Sequence, residues 1–209
     1  MNKRAIIART TAGALGGLLL LGAAGAAIAD ELGNGDVDVN VNIEALPPVG
    51  ALTMSVAQDS TTLAEVASAD ADVRQFDGTL PTVTVSDDRE EVPAGAYWYV
   101  TGQTSDFVGP GTAKITAGHL GWTPKLLTDG NGEVAEGDPI GTVLDAPTAE
   151  VPWNTGIGSG EDLLAIAPDS STAQGEWKAN AGLSLKTPKD VTPGAYSATL
   201  TLTLWEDTL

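Results

Sequence analysis

The sequence predicts an all-β protein, an antiparallel β-sandwich of Ig-like or Greek-key type with little helix. Apolar residues recur at every second position in its clearest periodic segments, which puts them on one face of a strand. Stretches rich in Gly, Pro, Asp and Ser separate these segments, as expected where short strands reverse direction. The chain has 25 Gly, 12 Pro and no Cys, so a sandwich here must be held by its core alone.

Taken in order, Val37, Val39, Val41 and Ile43 alternate with Asp36, Asp38, Asn40 and Asn42, which reads as a strand. The same oxygens resemble the start of a calcium loop, but the glycine and the distal glutamate of that loop are missing. Further strands are expected at 51–56, 82–85, 96–101, 141–144, 163–167 and 181–185. Residues 62–73 have some helical character, although their Ala, Glu and Asp content equally suits a surface excursion. Residues 129–138 form a turn-rich acidic loop where a cation could settle. The strongest strand is 195–204, with Tyr196, Ala198, Leu200, Leu202 and Leu204 on one face and a Pro193–Gly194 turn before it. No internal repeat is present, so the expected organisation is an extension at 30–80 followed by one sandwich domain at 81–209.

The first 29 residues read as a secretory signal peptide. Lys3, Arg4 and Arg9 precede an apolar, small-residue run, and Ala27-Ile28-Ala29 fits a cleavage site. The run is short and glycine-interrupted for a stable membrane span. Cleavage there would take the net charge from −18 to −21 by removing three basic side chains and no acidic ones. Such a field repels nucleic acid and anionic lipid, and it favours solubility outside the cell. No later run approaches spanning length and no basic tail follows, so attachment to a wall is expected to be non-covalent or through a partner.

The chemistry points to binding rather than catalysis. His119 is the only imidazole base, and no serine sits in a nucleophile-elbow pattern. One His and no Cys remove the usual zinc sites, and no cofactor is expected. The 28 acidic residues guarantee chance carboxylate pairs, but no motif singles one out, so no enzymatic activity is expected. Five tryptophans invite a carbohydrate reading, because sugar faces stack on indole rings. Trp98, between Tyr97 and Tyr99, reads as core. Trp122, between Gly121 and Pro124, reads as a ring displayed on a loop and is the first contact candidate; Trp153 is the second. Asp87, Asp88 and Arg89 read as a strand-end ion pair, and Asp106-Phe107 as a turn oxygen beside a core ring.

Four blocks carry a family likeness: TVSDDR at 84–89, YWYVTGQTSDF at 97–107, LGWTP at 120–124 and PGAYSATLTLTL at 193–204. In this order, from Val83 onward, the chain resembles the WxL-type cell-wall-binding domain of Gram-positive surface proteins, in the variant common among high-GC bacteria. The resemblance implies a β-sandwich held non-covalently at the cell surface by contact with peptidoglycan or another wall glycan, often beside other surface proteins. It makes Tyr196, in the last block, a third candidate contact. Both family motifs are altered: Trp122 is followed by Thr123 and Pro124, and Leu202 stands where the second motif has tryptophan. The expected function is therefore a secreted wall-binding module. The alternative is a subunit of a surface protein assembly, in which the strand at 36–43 adds to a neighbour's sheet.

Overall fold

The computed structural model describes residues 49–209. Residues 1–29, expected to be a leader, and the alternating segment at 36–43 lie outside the described residues. Twelve strands follow: β1 Leu52–Val56, β2 Ala64–Val66, β3 Val73–Thr79, β4 Val83–Asp87, β5 Ala96–Thr104, β6 Phe107–Val108, β7 Lys114–Ile115, β8 Leu120–Leu126, β9 Ala135–Glu136, β10 Asp162–Ala167, β11 Gly175–Pro188 and β12 Leu200–Thr208. A 3₁₀ turn at Ala117–His119 is the only helical element among the described residues. All strand pairings are antiparallel.

The fourteen-residue β11 is the spine of the first sheet. Its alternation runs beyond the expected 181–185: Trp177, Ala179, Ala181, Leu183, Leu185 and Thr187 all point inward and are buried. Ala179 pairs with both Val83 and Leu126, and Gly182 with both Thr79 and Thr123. β8 therefore lies on one edge of β11, and β3 and β4 lie end to end along the other. Leu80 N–H, donating to Ala181 O at 2.8 Å, bridges the break between them. β1 and β2 pair with the outer edges of β4 and β3. The second sheet runs β12-β5-β10-β9, and β6 and β7 form a separate two-stranded ribbon.

The sheets face each other across one core, with Trp98, Val100 and Leu164 from one and Val83, Trp122 and Leu183 from the other. Gly102 of β5 sets their approach. A Cβ there would lie 2.6 Å from Cη2 of the Trp122 ring, so the indole fills the space a side chain would occupy. Trp98 and Trp122 are 0% and 2% exposed, and burying two indoles is a large share of the apolar payload in a chain with no disulfide.

Four expectations are corrected. Residues 62–73 form no helix: β2 and the start of β3 fall there, because Ala64, Glu65 and Val66 pair with Asp77, Phe76 and Gln75, and Glu65 takes a bidentate pair from Arg74. Tertiary pairing outweighs a modest helical composition. Residues 141–144 are a turn rather than a strand, closed by the Asp145 carboxylate accepting from both Thr142 N–H and Thr142 Oγ1 at 2.8 Å. The strand expected at 195–204 runs instead over Leu200–Thr208, because its partner β5 ends at Thr104, opposite Leu200. Finally, a sandwich starting at residue 81 would lack β1, β2 and β3, which are integral to the first sheet.

Candidate functional site

The structure places the three expected contact residues in three different settings. Trp122 is a buried residue of β8, not a displayed loop ring, and it cannot stack on a polymer. Gly121 and Pro124 suggested loop chemistry, but Gly121 sits against the Ile140 backbone, where a Cβ would come within 2.6 Å. Pro124 lies on a strand that joins β11 along one side, where a missing N–H is tolerated. Trp153 is displayed, at 56% exposure, beyond Ile140, which bridges Trp122 on the outer edge of β8; its carbonyl accepts from Gly141 N–H at 2.6 Å. Tyr196 is half-buried, its ring lies over Gly109, and its hydroxyl donates to Thr192 O at 2.8 Å. Both its face and its polar end serve the approach to β12.

A different group of rings occupies the outer face of the second sheet. With Trp98 pointing inward, the β5 alternation turns Tyr97 and Tyr99 outward. On β12, Leu200, Leu202 and Leu204 face the core, which turns Trp205 outward directly opposite Tyr99. The Tyr97 and Tyr99 rings lie 5.9 Å apart at 18°, and Tyr99 and Trp205 lie 6.4 Å apart at 20°. Trp205 is 48% exposed, and its Nε1–H donates to Thr101 Oγ1 at 3.0 Å, fixing the indole across two strands. Asp207, opposite Tyr97, brings a carboxylate to the end of the strip. Partial desolvation and then this carboxylate push the Tyr97 hydroxyl above the usual phenol range, so it stays a protonated donor at neutral pH.

An ion cluster between the sheets anchors the strip. The buried Asp87 carboxylate takes Arg89 through Nε at 2.8 Å and Nη2 at 2.6 Å, and Arg89 Nη1 reaches Glu206 at 2.6 Å. This joins the end of β4 to β12 beside Trp205. Asp87, Asp88 and Arg89 thus act as the expected strand-end scaffold, with Asp88 Oδ1 accepting from Ala51 N–H at 2.6 Å. Asp106 Oδ1 accepts from Ala117 N–H at 3.1 Å beside the buried Phe107, also as expected. His119 Nδ1 lies 2.9 Å from Thr116 Oγ1, a contact that closes its own turn. In the acidic loop, Asp129 Oδ1 accepts from Asn131 N–H at 3.2 Å, and Glu136 accepts from Leu126 N–H at 3.0 Å. Among the described residues, no three His, Cys, Asp or Glu side chains are grouped to hold a metal ion, and no helix is long and apolar enough to cross a membrane.

Chemically, three near-parallel rings with a phenol, a carboxylate and the exposed Gln103 on the same strand pair can stack on apolar faces of a polymer and take its hydroxyls. The signal for this strip was the parity of two strands: if Trp98 and Leu204 face inward, Tyr97, Tyr99 and Trp205 must face outward.

No family model matches the chain, and no curated protein matches it. Among solved structures it is similar to a family 123 glycoside hydrolase from Clostridium perfringens, at 18% identity and a TM-score of 0.33, over 63% of this chain and 18% of that one. The chain thus spans less than a fifth of that enzyme's length, and a likeness this slight carries no argument about fold or activity.

Proposed function

We propose that this chain is an exported surface protein of a Gram-positive bacterium whose β-sandwich binds the cell wall non-covalently, with peptidoglycan as the polymer contacted. The supporting observation is the strip Tyr97, Tyr99 and Trp205, an outward-facing aromatic series of two half-buried tyrosines and an exposed indole, with hydroxyl-binding groups beside it. The likeness to wall-binding sandwiches, the leader-like N-terminus and the strong negative charge agree with this reading. It assigns the chain no catalytic step and no cofactor.

The test is co-sedimentation of residues 30–209 with purified peptidoglycan sacculi, beside Trp205→Ala and Tyr99→Ala variants of unchanged circular dichroism. Pull-down of the parent that falls at least about tenfold in both variants supports the reading, since losing a stacked ring commonly costs one or more kcal/mol. Binding that survives both changes but falls in Trp153→Ala moves the contact to the 140–156 loop. No pull-down of the parent rejects direct wall binding.

One observation favours the alternative of a surface assembly acting through protein partners. β12 is a nine-residue strand that pairs with β5 on one side and with no described residue on the other. An unpaired edge of that length can accept a strand from a neighbour.

A further inference from the structure

The two sheets do not close on each other everywhere. Between the β3 end of the first sheet and the start of β12 lies a cavity of about 840 Å³. Its inner walls are mainly apolar: Phe76, Leu183 and Leu185 from the first sheet, Leu200 and Leu202 from β12, and Phe107 from the two-stranded ribbon, with Thr104 and Thr187 among them. The cavity exists because β12 begins to pair only at Leu200. Opposite β3 the second sheet supplies no strand among the described residues, only the irregular segment 191–199. Its volume falls in the range of small-molecule sites, and its lining suits an aliphatic guest better than water.

The mouth has a different chemistry. Residues 58–62 on one side and 192–199 on the other are mostly exposed. Within the described residues, the hydroxyls of Thr62, Thr192, Ser197 and Thr199 donate to no protein group and remain available. The charged residues of the lining are Asp59 and Arg74, and Arg74 is engaged with Glu65 through two bonds of 2.8 and 2.9 Å. Among the described residues of the lining no uncommitted cation awaits an anionic group, and the chain's net charge of −18 repels one. Deep in the same wall, the Thr187 hydroxyl is buried without a partner among the described residues, which leave this part of the wall polar and unsatisfied.

We propose that this cavity binds the aliphatic chain of a neutral amphiphile, with a hydroxyl-bearing headgroup held at the mouth by the 192–199 and 58–62 segments. The site is separate from the aromatic strip and does not depend on wall binding. Ala198 lines the cavity and is packed only in part, so it is the position from which a large side chain would fill the space.

Titration of the full chain with octyl β-glucoside below its micelle threshold, followed by calorimetry, tests the proposal. Saturable one-to-one binding is expected, weakened about tenfold or more in Ala198→Trp, because each buried methylene of the guest contributes to affinity. Octyl sulfate should bind at least about tenfold more weakly than the glucoside, and glucose alone should not bind, if the chain carries the affinity and charge opposes an anionic head. If Ala198→Trp does not fold, Leu185→Phe fills the same space from the other wall and should show the same loss. Absence of saturation, equal binding by a folded filled variant, or equal binding of glucose overturns the proposal; equal or tighter binding of octyl sulfate overturns its neutral headgroup. An apolar leader that took up detergent by itself would leave parent and variant titrations alike, and so also counts against it.

Discussion

Replacing Gly102 with alanine should destabilise the sandwich, although alanine is the better strand residue of the two. Gly102 does not need a left-handed backbone conformation, so nothing local forbids the change. The obstacle is across the core: the new Cβ would meet Trp122 Cη2 at 2.6 Å and Cζ3 at 2.7 Å. Those ring atoms belong to a side chain 2% exposed, seated on a strand paired to β11 over seven residues, so the ring has little room to swing away. Overpacking of this kind costs about 1–3 kcal/mol, and the reduced entropy of the unfolded chain returns about 0.4–1 kcal/mol. The net loss should be about 1–2 kcal/mol, which for a chain of this size lowers Tm by about 2–8 °C. Urea melts of Gly102→Ala, Trp122→Leu and the double variant form the assay. Gly102→Ala should be neutral or stabilising once the indole is gone, giving a coupling of at least about 1 kcal/mol. Equal effects in both backgrounds would refute the packing of Trp122 on Gly102 as what fixes the sheet separation.

Three further outcomes follow from the same structure. Arg89→Leu leaves the Asp87 carboxylate, 1% exposed, buried without its cation, and should cost about 3 kcal/mol or more in denaturant melts. Burial raises the pKa of Asp145, but bonds from Lys186 and Thr142 outweigh it and hold the carboxyl below its ordinary value of 3.8. Its contribution is therefore complete above that value and lost as pH falls through the folded-state pKa, so Asp145→Asn should flatten part of the acid limb of stability measured from pH 6 to 2.5. Parallel curves for parent and variant would contradict this. Thr187→Val removes a buried hydroxyl that has no partner among the described residues, and should raise stability by about 1 kcal/mol in the same melts.

The class of fold was legible because burial on one face imposes a period of two, and that period is visible in β5, β11 and β12 without reference to anything else. What the sequence hid depends on partners far along the chain. β8 looks like a loop from Gly121 and Pro124, and is a strand because β11 offers it seven residues of pairing. β2 looks helical, and is a strand because β3 and Arg74 hold it. The end of β12 nearest Tyr196 looks like a strand by alternation, and is not one because β5 has already ended. The site followed the same rule. Trp122 reads as the first contact because its local residues describe a turn, while Trp205, one of the five candidate indoles, is not singled out because its partner Tyr99 lies over a hundred residues earlier; Trp205 and Thr101 themselves are 104 apart.

The spine strand also sets a timetable. β11 joins β3 and β4 across roughly a hundred residues of intervening chain, as with Leu183 opposite Gly78, and β12 joins β5 across a similar span. Closing loops of that length costs entropy before any contact returns it, and proteins dominated by such pairings fold in milliseconds to seconds rather than microseconds. With no cysteine to trap a partial structure, the chain spends that interval with unpaired strand edges and exposed leucines. Its large negative charge then acts at the stage before the native state exists, keeping unfinished chains apart while β11 finds its neighbours.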